Sequence, residues 1–247
     1  MAFSYKHTVI INSRDVDGHG HCRASALMGH LQEAATQASE IGGFGREALI
    51  QSHNAFWMLT RVWFRLERPL KWGEELTIHT WHRGGRGAVS HRDYDLYVNG
   101  APVGEGIAAW VLADMTDHHL IRLNEVDLLV GTDGGELCKK KVLTKVRHPV
   151  QLTDVEVRPM RYSDTDINNH VNNTRYADFA CDALRMDQMP AGQFLSAMQI
   201  GYLAECRPGD LLTVQVGDLE DCRYVRGVDP DGVGRFEATV AFREMKS

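Results

Sequence analysis

The sequence predicts an α+β protein made of two tandem repeats, each a long central helix wrapped by an antiparallel sheet. Three observations predict it. Residues 14–35 (RDVDGHGHCRASALMGHLQEAA) and 163–184 (SDTDINNHVNNTRYADFACDAL) share a DxDxxxH stretch that runs into a helical pattern; Asp15, Asp17 and His21 pair with Asp164, Asp166 and His170 at one separation of 149 positions (164 − 15, 166 − 17, 170 − 21). Each helical pattern is followed by runs with strand alternation. The chain has 247 residues, 43% hydrophobic and 24% charged, which suits one large domain or two small ones with a working core.

In the first copy Leu27, Leu31, Ala34, Ala35, Ala38 and Ile41 mark one helical face, and Gly42 and Gly43 stop it. Strands follow in FWMLTRVWFRLERPLKWGEELTIHTW (56–81), where Val62, Phe64 and Leu66 alternate with Arg61, Trp63, Arg65 and Glu67. Segments 88–98 and 103–114 read as an antiparallel pair turned at Asn99-Gly100. The second copy repeats the plan. Tyr176, Phe179, Ala180, Ala183 and Leu184 form the helical stripe, with Asn172, Asn173 and Thr174 as natural caps. Strands are expected in 194–216 and 235–245, with a turn across Asp229–Gly234. The polar, basic stretch 135–149 reads as a linker between domains at 1–134 and 150–247.

The net charge of −6 argues against nucleic acid as a partner, since phosphate binding needs clustered Lys and Arg. Five cysteines (Cys22, Cys138, Cys181, Cys206 and Cys222) form no CxxC pair and are odd in number, which points to reduced thiols. The N-terminus lacks a signal-peptide layout, and no apolar run approaches the roughly 20 residues that span a bilayer. A cytoplasmic chain with no membrane partner is expected.

With repeat, helices and strands placed, the chain resembles the acyl-acyl-carrier-protein thioesterases. The stretches that carry the resemblance are LTRVWFRLERPLKWGEELTIHTW, GEGIAAWVLADMTDHHLIRLNEV, RYSDTDINNHVNNTRYADF and YLAECRPGD, in that order. The resemblance implies two tandem hotdog domains in one chain, paired internally as a pseudo-dimer, with a further homodimer left open. It also implies release of fatty acid from acyl carrier protein, without a cofactor. The family's DxNxH pattern falls on Asp166, Asn168 and His170, and its distal acidic-cysteine pair on Glu205 and Cys206. The first copy keeps Asp17 and His21 but has His19 for the asparagine, and Glu67-Arg68 reads as its counterpart of Glu205-Cys206. One competent site per chain is therefore expected, in the second half, with the fatty acyl chain received by the first.

Thioester hydrolysis needs a polarised carbonyl and an activated water, and the thiolate then leaves readily. A helix N-terminus offers free N–H groups for a developing oxyanion. Glu205 or Asp166 is the candidate general base, with Asn168 and His170 orienting the reactants. The rival reading makes Cys206 a nucleophile with His170 as its base and Asn168 as orienter. Glu205 beside the thiol opposes it, because like charge disfavours the thiolate.

The aromatic-rich stretch with Phe56, Trp57, Met58 and Trp63 is a candidate wall for the acyl chain, or simply core. Lys139, Lys140 and Lys141 lead the basic run, which is a solvated linker or a dock for an acidic carrier protein. His19, His21, Cys22 and His30 offer nitrogen and sulfur but not at a standard zinc spacing. An acyl-CoA thioesterase on the same scaffold would need a phosphate-binding cluster, and none is evident. A non-catalytic acyl- or carrier-binding module would be expected to lose the polar set that the second copy keeps. A hotdog dehydratase would need a hydratase signature, which neither copy shows.

Overall fold

The computed structural model describes residues 4–126 and 143–245. These gather into two compact units. The first draws on the described residues of Met1–Ile11, Gly29–Phe64 and Gly73–Leu143, the second on those of Asn12–Met28, Arg65–Trp72 and Thr144–Ser247.

In the first unit, β1 (Ser4–Ile10), β2 (Ala55–Leu66), β3 (Glu75–Arg86), β4 (Val89–Val98) and β5 (Ala101–Asp114) lie in the order β1-β3-β4-β5-β2, with the short β6 (Leu120–Ile121) on β5. The expected pair is β4 and β5, antiparallel and joined by Asn99 (φ 52°) and Gly100 (φ 76°). Two positive φ values are what a two-residue turn needs to match strand twist. Helix α1 (Ala24–Ile41), whose start to Met28 belongs to the second unit, buries Leu27, Leu31, Ala34, Ala35 and Ala38 of the stripe read from its spacing, while Ile41, at its last position, is exposed. Gly43, at φ 81°, ends it with a bond from its N–H to the Glu40 carbonyl. Helix α2 (Arg46–His53) follows, and its Leu49 packs with Ala55, Leu112 and Val126.

Polar groups are buried on β3 and β4. Asp93 receives the Arg83 guanidinium (Nε–Oδ2 2.7 Å), and His82 Nε2 meets Ser90 Oγ. Burial pushes the Asp93 carboxyl up to about 6, against the pull of Arg83. Burial and the Arg92 charge push the His82 imidazole down to about 4.

In the second unit, β7 (Thr153–Pro159), β8 (Gln193–Tyr202), β9 (Leu211–Asp218), β10 (Arg223–Val228) and β11 (Gly234–Glu244) lie in the order β8-β11-β10-β9-β7. Helix α3 (Arg175–Ala183) packs on β9, β10 and β11. It buries Tyr176, Ala177, Phe179 and Ala180, and Tyr176 stacks at 5.1 Å from the Phe236 ring. At nine residues α3 is half as long as the 18-residue α1. Arg185 in the left-handed region (φ 54°) and Pro190 turn the chain away. Residues 144–149, the described end of the expected linker in this unit, lie against its sheet. The Gln199 side chain donates to the Thr144 carbonyl, Val146 is buried, and His148 Nε2 sits 2.8 Å from Glu237 Oε2. Among the described residues no helix is long and apolar enough to cross a membrane, and Cys22, Cys181, Cys206 and Cys222 are free thiols.

Candidate active site

Both DxDxxxH stretches fold into the same turn, with three bonds in common. In the second copy the Asp166 N–H donates to the His170 carbonyl (2.9 Å) and the Asn169 N–H to the Asp166 carbonyl (3.0 Å). The Asn168 N–H donates to Asp166 Oδ1 (2.8 Å). In the first copy Asp17 N–H to His21 carbonyl (2.9 Å), Gly20 N–H to Asp17 carbonyl (3.0 Å) and His19 N–H to Asp17 Oδ1 (2.9 Å) repeat these. An Asp folding back on the N–H two residues on makes an Asx turn. The left-handed position it demands is filled by Gly20 (φ 74°) in one copy and Asn169 (φ 59°) in the other. The preceding aspartates are structural too. Asp15 Oδ2 caps the Asn12 N–H and Asp164 Oδ2 the Arg161 N–H, each at 2.9 Å. Asp164 also holds Arg175 at 3.0 Å.

The distal strand end is where the copies differ. The Val171 N–H donates to the Cys206 carbonyl (2.8 Å), and the Cys22 N–H to the Leu70 carbonyl (2.7 Å). The left-handed glycines Gly209 and Gly73 follow three residues later in both. This fixes a separation of 136 here (206 − 70, 209 − 73), so the positions equivalent to Glu205 and Cys206 are Pro69 and Leu70. Reading Glu67-Arg68 as that pair is thus corrected: the two-residue gap falls before the pair, not after it. Glu67 instead lies 3.4 Å from Arg65 and 3.3 Å from Arg243. With proline in the acidic position, His21 has no carboxylate from this strand end, and burial lowers its imidazole pKa.

In the second copy Glu205 does face its histidine: Glu205 Oε2 is 3.2 Å from His170 Nε2, with the glutamate side chain half exposed and the histidine 24% exposed. Cys206, the next residue, turns to the interior and is 1% exposed. Successive side chains alternate along an extended backbone, so one of the two must leave the surface. The Cys206 thiol is hydrogen-bonded with the Tyr176 phenol, and burial pushes its pKa up. Asn168 is exposed at the turn.

Helix α3 begins within this loop. The Asn172 side chain accepts the Thr174 N–H and hydroxyl (2.9 and 2.8 Å), and its carbonyl accepts the Arg175 N–H. These bonds occupy two of the N–H groups that the helix start was expected to leave open. Arg235 of β11, which the sequence did not mark, reaches the same strand end: its Nη1 donates to the Glu205 carbonyl at 2.9 Å.

The other expected residues lie elsewhere. Trp57 donates from Nε1 to the Phe44 carbonyl (3.2 Å) and packs on the Leu49, Ala55, Leu112 and Val126 cluster. Trp63 packs with Ile107, Ala109 and Leu143. Met58 is half-buried and, by strand alternation, on the opposite face of β2. Lys139, Lys140 and Lys141 lie outside the described residues. Among the described residues His19, His21, Cys22 and His30 do not gather as metal ligands; the group close enough to share an ion is Asp114, Asp117 and His119, on the turn after β5. Its carboxylates already accept N–H groups of Thr116 and His119.

Comparison with known proteins adds the following. The family model for the acyl-ACP thioesterase N-terminal domain matches residues 2–127, and that for the acyl-ACP thioesterase C-terminal domain residues 148–227. The dodecanoyl-[acyl-carrier-protein] hydrolase of Cinnamomum camphora is 27% identical over 235 residues, covering 87% of this chain and 61% of that protein. Oleoyl-acyl carrier protein thioesterase 1 of Arabidopsis thaliana is 22% identical over 228 residues, covering 85% and 62%. Both relatives are chloroplastic proteins. The chain thus spans about six tenths of the length of these curated relatives. In structure it is similar to an acyl-ACP thioesterase from Bacteroides thetaiotaomicron (TM-score 0.87, 20% identity, covering 97% of this chain and 98% of that one). It is also similar to the 12:0-ACP thioesterase of Umbellularia californica (TM-score 0.80, 20% identity, covering 98% and 97%). At such identities the likeness is one of fold.

Proposed function

The chain belongs to the acyl-ACP thioesterase family, and on that premise we propose that it hydrolyses the thioester of a fatty acyl-acyl carrier protein to free fatty acid and carrier thiol. The observation that carries the proposal is the contact of Glu205 with His170 at 3.2 Å, present in one of two otherwise matching turns. Glu205 is the general base. It is half exposed, so it can reach water, and it faces an imidazole that can orient or relay a proton. Asp166 is assigned a smaller part, since its Oδ1 is committed to the Asn168 N–H. It sets the turn that presents Asn168, whose exposed carboxamide is assigned to the thioester carbonyl. Attack by the activated water gives a tetrahedral oxyanion. Its collapse expels the carrier thiolate and leaves the fatty acid.

Cys206 is not the nucleophile in this reading. A thiol 1% exposed and with a raised pKa offers little thiolate. The acyl chain is assigned to the first unit, against the face of β2 that carries Trp57 and Trp63, which leaves Met58, on the other face, out of that wall. The four described free thiols support a reducing compartment, the cytoplasm. A hydrolysis panel tests the activity: acyl carrier proteins against acyl-CoAs, across chain lengths. Acyl carrier proteins should give the higher kcat/KM at every length that is cleaved. Equal or better turnover of acyl-CoAs would reject the carrier assignment, and no turnover of either would reject hydrolysis.

A further inference from the structure

The strand end that carries Glu205 is held by one residue from three directions. β8 stops at Tyr202, and beyond it the N–H groups of Leu203 and Ala204 both donate to the Arg235 carbonyl (2.9 and 3.2 Å). The Arg235 guanidinium turns back on the same segment, with Nη1 donating to the Glu205 carbonyl at 2.9 Å. Nη2 meets Asp229 Oδ2 at 2.7 Å. Asp229 is itself fixed, because its Oδ1 accepts the N–H groups of Asp231 (3.0 Å) and Val233 (2.8 Å) across the turn between β10 and β11. Those bonds, the Val233 N–H first, hold its carboxyl below the usual range. On the far side of Glu205, the Cys206 carbonyl is held by the Val171 N–H. The carbonyls of Glu205 and Cys206, two successive peptides, are thus each held by a donor from another segment, and the orientation of the peptide between the two residues decides which of Glu205 and Cys206 faces outward.

We propose that Arg235, braced by Asp229, is a positioning residue that aims the Glu205 carboxylate at His170. It rests on the reading of Glu205 as the base, and it acts through the Glu205 backbone, not on the substrate. An arginine suits the task because its planar fork serves two acceptors in fixed directions. Loss of the fork leaves the backbone bonds from Leu203 and Ala204, so the strand still forms while the peptide after Glu205 is freed to rotate.

The test is a double-mutant cycle with Arg235→Gln and Glu205→Gln, reading kcat and KM on acyl carrier protein substrate. Arg235→Gln should lower kcat on the order of 10- to 100-fold, the cost of misplacing a catalytic group by about an ångström, with KM unchanged within about twofold. On the Glu205→Gln background the same change should cost less than about twofold, because there is no base left to aim. Asp229→Asn should move kcat in the same direction by a smaller factor. If Arg235→Gln does not fold, Arg235→Lys replaces it in the cycle. Full additivity with Glu205→Gln, or a kcat unchanged by Arg235→Gln, overturns the positioning role while leaving Glu205 as base. A Glu205→Gln enzyme with full kcat overturns the reading of the base instead.

Discussion

Replacing Cys206 by alanine separates the two chemistries that the second copy allows. The side chain is 1% exposed, so the change removes a buried sulfur and leaves the Tyr176 phenol without that acceptor. One lost heavy atom and a weakened hydrogen bond should cost about 1–2 kcal/mol of stability, a fall in Tm of about 2–8 °C for a chain of this size. If water is the nucleophile, kcat should stay within about threefold of the parent at a temperature well below the melt. If the thiol is the nucleophile, kcat should fall on the order of 10⁴-fold or more, as for removal of a covalent catalyst. The pH profile carries the same distinction. Burial raises the Cys206 thiol, so the thiol form persists above its ordinary range. A thiolate mechanism would then make kcat climb through the alkaline range, and the Cys206→Ala profile would lose that limb. Parent and variant profiles that superimpose support activated water. Rapid acid quench with intact mass measurement completes the assay. An acyl adduct on Cys206 together with an inactive alanine variant would refute the reasoning.

Other outcomes follow from the sequence and the structure together. Trp57→Leu should move the chain-length preference toward longer acyl groups, by roughly tenfold in relative kcat/KM, whereas Met58→Ala, on the other face of β2, should not; product profiles from a mixed acyl carrier protein pool check it. Charge reversal at Lys139, Lys140 and Lys141 should raise KM for acyl carrier protein but not for a small acyl thioester, and the effect should fade with salt. Asp93→Asn tests the buried cluster of the first unit. Its carboxyl is raised from 3.8 to about 6, so the native state holds the proton longer than the unfolded chain and Asp93 weakens the fold as pH rises through that window. Relative to the parent, Asp93→Asn should therefore gain about 2–3 kcal/mol between pH 4 and pH 6.5, measured by urea unfolding at each pH.

The turn that carries Asp166, Asn168 and His170 was legible because its bonds are local: an aspartate closing on the N–H two residues on leaves a fixed DxDxxxH spacing. The stripe of α1 and the β4–β5 hairpin were legible for the same reason. The short strands β1, β7 and β10 were not read: β1 and β7 owe their state to β3 and β9, far along the chain, while β10 is a short run between two near turns. The length of α3 was hidden, because a stripe reports which face is buried and not where tertiary contacts end. The counterpart of Glu205 was misread for a chemical reason. Aligning one glutamate with another favours Glu67, whereas the backbone bonds put Pro69 in that place. Arg235 escaped because it meets Glu205 across 30 residues, and no spacing rule links a residue at the start of one strand to the segment beyond a neighbouring strand's end.

The contact of Glu205 with His170 is tested most directly by the single-turnover rate of Glu205→Gln on acyl carrier protein substrate. The glutamate is half exposed, so the amide should leave Tm and KM close to the parent's. Removing the base should slow hydrolysis about 10²- to 10⁴-fold. A Glu205→Gln enzyme that releases fatty acid within threefold of the parent rate would contradict the account.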